Sequence, residues 1–250
     1  MVETTETLVR QDSLPAFNRT EMIGSHSNKK LIFELQHEIN DRLSRPTCNS
    51  TAEIRAVRRE FSKRLAKAPP QLIVQLALAL LRSATKTPRF FAYELILHNK
   101  EALKSLNANS LEELGKGISG WGEVDAFASY LSGPVWREHQ VSDALIKRWA
   151  QSPDRWWRRA AVVSTVPLNN QARGGSGDTP RTLSICSLVV CDRDEMVVKA
   201  LSWALRELAK KDAKAVRVFL RSHEDSLAPR VKREVNNKLS SGLKNPRKVI

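Results

Sequence analysis

From Lys29 onward almost every stretch of this 250-residue chain spaces its apolar side chains by three or four, as an amphipathic helix does, and none alternates them as a half-buried strand requires. That periodicity confines the chain to an all-α fold. Helices are expected over residues 31–43, 52–67, 70–84, 89–106, 119–131, 134–150, 154–166, 183–190, 194–211, 213–222 and 229–239. Proline at 69, 70, 88, 134, 153 and 229 falls at or near these starts, where its fixed φ and missing N–H suit a first helical turn.

One recurrence turns these helices into an architecture. Asp154 opens DRWWRRA and Asp194 opens DEMVVKA, so an Asp, a basic residue at the fifth position after it and an Ala at the sixth recur forty residues apart. A helical chain with that period matches stacked helix pairs, and short loops between amphipathic helices make neighbours antiparallel. The expected fold is therefore a HEAT-like or armadillo-type α-solenoid of stacked antiparallel helix pairs, with a basic concave face wide enough for a duplex. Residues 1–27 are polar and aperiodic and read as a flexible N-terminal tail, 28–241 as a single repeat domain, and 242–250 as a basic C-terminal tail. PLNNQARGGSGDTPR, residues 167–181, holds three of the ten glycines and lacks the GKS or GKT ending of a phosphate-binding P-loop. It reads as a flexible insertion, with Arg173 and Arg181 as candidate DNA contacts.

Charge narrows the class of partner. Lys and Arg number 41 against 27 Asp and Glu, a net charge of +14. From Lys199 to Ile250 there are 14 basic and 5 acidic residues, so +9 of that surplus sits in the last fifth. Such a concentration attracts polyanions, nucleic acid or an anionic membrane surface. The longest apolar-rich run, LIVQLALALL at 72–81, is too short to span a bilayer, and the N-terminus lacks the order of a signal peptide. Cys48, Cys186 and Cys191 form no CxxC pair, and the five histidines are scattered singly. Reduced thiols in a soluble cytoplasmic protein are expected, with no metal site and no membrane association.

SGWGEVDAFASYL, residues 119–131, places Trp121 and Asp125 one helical turn apart, at the edge of a stripe formed by Ala126, Phe127, Tyr130 and Leu131. Alone, this pair reads as an apolar anchor beside a solvated acid. All six tryptophans lie between 121 and 203. Trp156 and Trp157 are adjacent, so one helix cannot bury both against one neighbour, and at least one should be partly exposed beside Arg158 and Arg159.

GWGEVDAF (120–127), RWWRRAAVV (155–163), KALSWALRELAK (199–210) and LAPRVKREV (227–235) resemble, in order, the diagnostic segments of the AlkD-like DNA alkylation repair glycosylases. TAEIRAVRREF (51–61) is similar to that family's N-terminal helix-start segment, without its preceding glycine. The resemblance covers residues 51–239. It implies a HEAT-like repeat fold that grips duplex DNA and excises N3- or N7-alkylated purines, while the lesion stays in the base stack, without a cofactor. Carried over, the family's catalytic aspartate falls on Asp125, its deoxyribose-contacting tryptophans on Trp121 and Trp203, and its DNA-binding arginine on Arg159. Arg158, Lys199, Lys232, Arg233 and Trp156 are further candidates for DNA contact. A monomer associated with the nucleoid through DNA is the expected state.

Elementary chemistry fits the same residues. An N3- or N7-alkylated purine carries a positive charge and leaves readily, so what needs stabilising is cationic character at the sugar. A nearby carboxylate supplies that, and indole faces add a cation attraction of roughly 0.5 to 2 kcal/mol each. The competing classes are a non-catalytic HEAT-repeat module for DNA or RNA and a protein-binding solenoid. A pure binding module needs the surplus charge but not Asp125, which repels phosphate.

Overall fold

A computed structural model describes residues 19–83 and 87–246. In chain order the α-helices are α1 (Arg19–Ser44), α2 (Thr51–Arg64), α3 (Pro70–Arg82), α4 (Arg89–Leu97), α5 (Lys100–Lys104), α6 (Ala108–Gly115), α7 (Trp121–Phe127) and α8 (Gly133–Arg137). They continue with α9 (Asp143–Ala150), α10 (Arg155–Ser164), α11 (Val166–Asn169), α12 (Thr179–Leu188), α13 (Glu195–Leu208), α14 (Ala213–Ser222) and α15 (Pro229–Ser241). Among the described residues there is no strand. The expected N-terminal tail falls largely on residues 1–18, outside the described ones, and α1 begins at Arg19. Of the expected C-terminal tail, residues 247–250 also lie outside them.

The helices form two rows. In the first, α2, α4, α7, α10, α13 and α15 each pack on the next. In the second, α1, α3, α6, α9 and α12 pack on α2, α4, α7, α10 and α13 in turn, and α14 packs on α13. This is the α-solenoid of helix pairs that the sequence predicts. First-row helices begin at residues 51, 89, 121, 155, 195 and 229, intervals of roughly thirty to forty residues. Asp154 and Asp194 recur because each is the N-cap of a first-row helix: Asp154 accepts from the Trp156 N–H and Asp194 from the Met196 N–H, both at 2.8 Å. The alanines that follow, Ala160 and Ala200, are buried where α10 and α13 lie against each other.

Beneath α7 lies an aromatic cluster. Phe127 is fully buried, with its ring centroid 5.8 Å from Tyr93, 5.9 Å from Trp149 and 6.1 Å from Trp157. Burying a ring of this size is worth about 1.5 to 3 kcal/mol, which fixes the rotation of α7 about its axis and turns Asp125, two residues earlier, away from the core. The adjacent tryptophans divide as their positions require. Trp157 packs tilted against Trp149, ring centroids 4.8 Å apart, and Trp156 takes the Arg155 guanidinium over its ring at 4.8 Å. Both are half-buried.

Pro134 does not begin a separate helix. Residues 121–137 are continuous, because Ala128–Ser132 make one wide π turn between α7 and α8, closed by the Gly133 N–H on the Ala128 carbonyl. Proline lacks the N–H that would bond the Tyr130 carbonyl and its ring crowds that oxygen, so the helix widens there. It ends in a Schellman motif: the Gln140 N–H bonds the Val135 carbonyl and the His139 N–H the Trp136 carbonyl. His139 occupies the left-handed position, φ 58°, where glycine is usual.

The 167–181 segment is not a flexible insertion. Pro167, Leu168 and Asn169 are buried, and the Asn169 side chain donates to the Thr165 carbonyl and the Thr182 hydroxyl while accepting from the Asp178 N–H. Gly175 lets two strands of this loop touch, since a Cβ there would come within 2.3 Å of the Pro167 carbonyl oxygen. Two further departures are local. The 89–106 stretch breaks where Asn99 caps α5, and α6, which the periodicity did not reveal, starts on a capping box between Asn107 and Ser110.

Candidate active site

Three first-row helices meet at one guanidinium. Arg159, on α10, donates from Nε to Asp125 Oδ1 at 3.0 Å and from Nη2 to Asp125 Oδ2 at 2.8 Å, a two-pronged clasp across the α7–α10 contact. Its Nη1 donates to the Met196 carbonyl in the first turn of α13. Arg159 is buried, whereas the Asp125 side chain keeps 21 % of its surface open. Burial pushes the Asp125 carboxyl above the ordinary aspartate range, against the Arg159 hydrogen bonds and the positive charges of Arg159 and Arg173.

One turn before Asp125, Trp121 opens α7 and is 62 % exposed, far more than any other tryptophan among the described residues. An indole on the surface forfeits the burial that makes tryptophan worthwhile in a fold, so its place is not explained by packing. Gly120 and Gly122 leave open space on either side of it. Trp203 lies on α13, seven residues and two turns beyond Met196, and is half-buried. Asp125 and Arg159 are thus in direct contact, Trp121 adjoins them through α7, and Trp203 shares the helix whose first turn Arg159 reaches.

The model of a family described as DNA alkylation repair enzyme matches residues 49–239. The chain belongs to this family. A search of curated proteins gives no match. The matched span takes in α2 through Leu239 of α15, hence every helix after α1 and every candidate site residue. A role in DNA alkylation repair follows from the family.

Within this alkylation repair fold the other candidates are differently placed. Arg158 is tied to Asp192 at 2.7 Å and to the Ser152 and Pro153 carbonyls. Lys199 pairs with Glu195 at 2.9 Å, and Lys232 donates to the Glu224 carbonyl at 3.1 Å. Arg233 is exposed on α15, and Trp156 lies at the start of α10 under Arg155. Arg181 braces the loop instead, donating to Asp178 and to the Trp136 carbonyl and stacking on the Trp136 ring at 5.1 Å.

Sequence reasoning passed over Arg55, Glu94 and Tyr130. Glu94 is buried and takes both Arg55 Nε, at 2.8 Å, and Arg58 Nε, at 3.3 Å. Tyr130 lies in the π turn Ala128–Ser132, five residues after Asp125 on the same continuous helical stretch. Among the described residues no group of three or more His, Cys, Asp or Glu side chains converges, and no helix is long and apolar enough to cross a membrane.

Proposed function

We propose that the chain is a monofunctional DNA glycosylase that hydrolyses the N-glycosidic bond of N3- and N7-alkylated purines in duplex DNA, as the opening step of base excision repair. 3-Methyladenine, 7-methylguanine and bulkier cationic adducts are its substrate class. The observation that carries this reading is the Asp125 carboxylate, clasped by Arg159 yet partly open, one turn from an indole exposed on the surface.

In the reaction, the glycosidic bond breaks with its electron pair going to the base. The cationic base leaves neutral, and its positive charge passes to C1′ and O4′ of the deoxyribose. Asp125 faces that charge as a fixed carboxylate, with Arg159 holding its orientation, so little reorganisation is needed as charge develops. Trp121 and Trp203 lie against the sugar and contribute π attraction. Water adds its oxygen to C1′ and gives up a proton to the Asp125 carboxylate or to solvent, leaving an abasic site. No step calls for a cofactor or metal.

The remaining basic residues serve the backbone. Arg158, Lys199, Lys232 and Arg233, with Trp156, contact the duplex on a concave basic face, and Arg159 has two N–H groups left to offer a phosphate. The protein acts as an intracellular, DNA-associated monomer.

Base release from methylated duplex tests this. Wild type frees 3-methyladenine or 7-methylguanine, and Asp125→Asn and Trp121→Ala lose most of that rate. A wild type that binds duplex DNA and frees no base overturns the enzyme reading and leaves a non-catalytic nucleic-acid module.

A further inference from the structure

Tyr130 joins two parts of the molecule that are distant in sequence. Its hydroxyl lies 3.5 Å from Arg55 Nη2 on α2, and Arg173 stacks its guanidinium over the ring at 5.5 Å. Arg173 comes from the 3₁₀ turn Gln171–Arg173, held in place by Arg137, which donates to the Arg173 carbonyl. The same Arg173 acts electrostatically on Asp125. This phenol between two arginines stands on the same continuous helical stretch as Asp125, five residues beyond it.

The charges around this phenol do not balance. Glu94 is a single carboxylate shared by Arg55 and Arg58, Asp125 is engaged by Arg159, and Arg173 has no carboxylate in salt-bridge contact among the described residues. Four guanidiniums thus stand against two carboxylates. The surplus is not hidden: the Arg55 side chain keeps 41 % of its surface exposed and Arg173 is partly exposed, whereas Glu94 and Arg159 are buried. Two accessible guanidiniums flanking a hydroxyl present fork-shaped donors and one neutral donor, the arrangement that suits a tetrahedral anion.

We propose that Arg55, Tyr130 and Arg173 form a seat for one backbone phosphodiester of the duplex, on the helical stretch that also carries Asp125. The proposal rests on the reading that this face receives duplex DNA. The seat fixes how the sugar-phosphate strand lies relative to Asp125, with the π turn at Ala128–Ser132 setting the distance between carboxylate and phosphate. Because Arg55 belongs to α2 and Arg173 to the loop after α11, it also ties DNA to two parts of the solenoid more than a hundred residues apart in the chain.

The test uses binding alone, on a duplex carrying an abasic-site analogue so that no base can be released. The double variant Arg55→Ala/Arg173→Ala should bind at least roughly tenfold more weakly and lower the slope of log affinity against log salt by about 0.9, the loss of one phosphate contact. Arg58 still pairs Glu94 in that variant, so its melting temperature should stay near wild type. Arg55→Lys/Arg173→Lys should keep the slope. Replacing the phosphate next to the analogue with a neutral methylphosphonate should weaken wild type to the same degree and leave the double alanine variant unchanged. Wild-type affinity and slope in the double alanine variant, or an equal methylphosphonate penalty in both proteins, overturns the seat. A wild type that binds no duplex overturns the underlying DNA reading as well, and one that binds with the expected slopes but excises nothing leaves the seat standing.

Discussion

Arg159 clasps Asp125 through two hydrogen bonds, at 3.0 and 2.8 Å, and with its third nitrogen holds the Met196 carbonyl of the next first-row helix. One side chain thus orients the carboxylate and links α7, α10 and α13. Removing it by Arg159→Ala leaves a largely buried carboxylate without its partner. The expected cost is about 3 kcal/mol in urea unfolding, with loss of excision. A variant as stable as wild type contradicts the clasp.

Trp121 separates function from folding. Because it is exposed, Trp121→Ala should change stability by no more than about 0.5 kcal/mol. Its single-turnover excision of 7-methylguanine should nevertheless fall roughly tenfold, the worth of one cation–π contact at a desolvated site. A full rate in this variant removes the indole from the mechanism.

The pH profile reports on Asp125. Its carboxyl is raised by burial, so the folded chain holds this proton more tightly than the unfolded chain does. Acidification through the window between the unfolded and native values therefore favours folding at this group, and that contribution is lost as pH rises above the native value. Excision needs the ionised form and runs the other way. Its acid limb should lie above the usual aspartate value near about 4, and Arg173→Ala, which removes one opposing charge, should move the limb higher. A limb at the ordinary aspartate value, measured with spontaneous depurination subtracted, defeats this assignment.

His139→Gly should stabilise the chain. A histidine at φ 58° occupies the left-handed C-terminal position of a Schellman motif, and glycine adopts it without a Cβ penalty. The left-handed penalty of roughly 1 to 2 kcal/mol is relieved, less the roughly 0.5 to 1 kcal/mol of chain entropy that glycine costs, so a net gain of up to about 1 kcal/mol should appear as a higher melting temperature.

Gly175→Ala should do the opposite. Its Cβ would meet the Pro167 carbonyl oxygen at 2.3 Å and Leu168 backbone atoms at 2.6 and 2.7 Å, none of which can rotate away. A loss of about 3 kcal/mol is expected, and the displaced loop should carry Arg173 with it. Thermal melting together with the salt slope of DNA binding measures both effects.

The solenoid was legible in the chain because helical periodicity is a local property, and the forty-residue recurrence because Asp154 and Asp194 do the same capping work. The other first-row helices start on Ser50, Pro88, Gly120 and Ala228, four different solutions to one geometric position, so their equivalence leaves no pattern of letters. Trp121 and Asp125 could be paired on paper, being one turn apart. The contact between Asp125 and Arg159 spans thirty-four residues and was visible only through resemblance to a family. Tyr130 was hidden by the π turn, which breaks the spacing that reading a helix depends on. The 167–181 loop misled because its glycines signal flexibility in composition but serve backbone contact in space.

The stacking of first-row helices also sets when the candidate site comes into being during synthesis. Within that row each helix docks on its immediate neighbours, and the candidate site draws Asp125 from α7, Arg159 from α10 and Trp203 from α13. A chain emerging from the ribosome would gain a clasped carboxylate once α10 had settled on α7, but no second indole until α13 followed. The order of translation would then complete the candidate site only when α13 docks on α10.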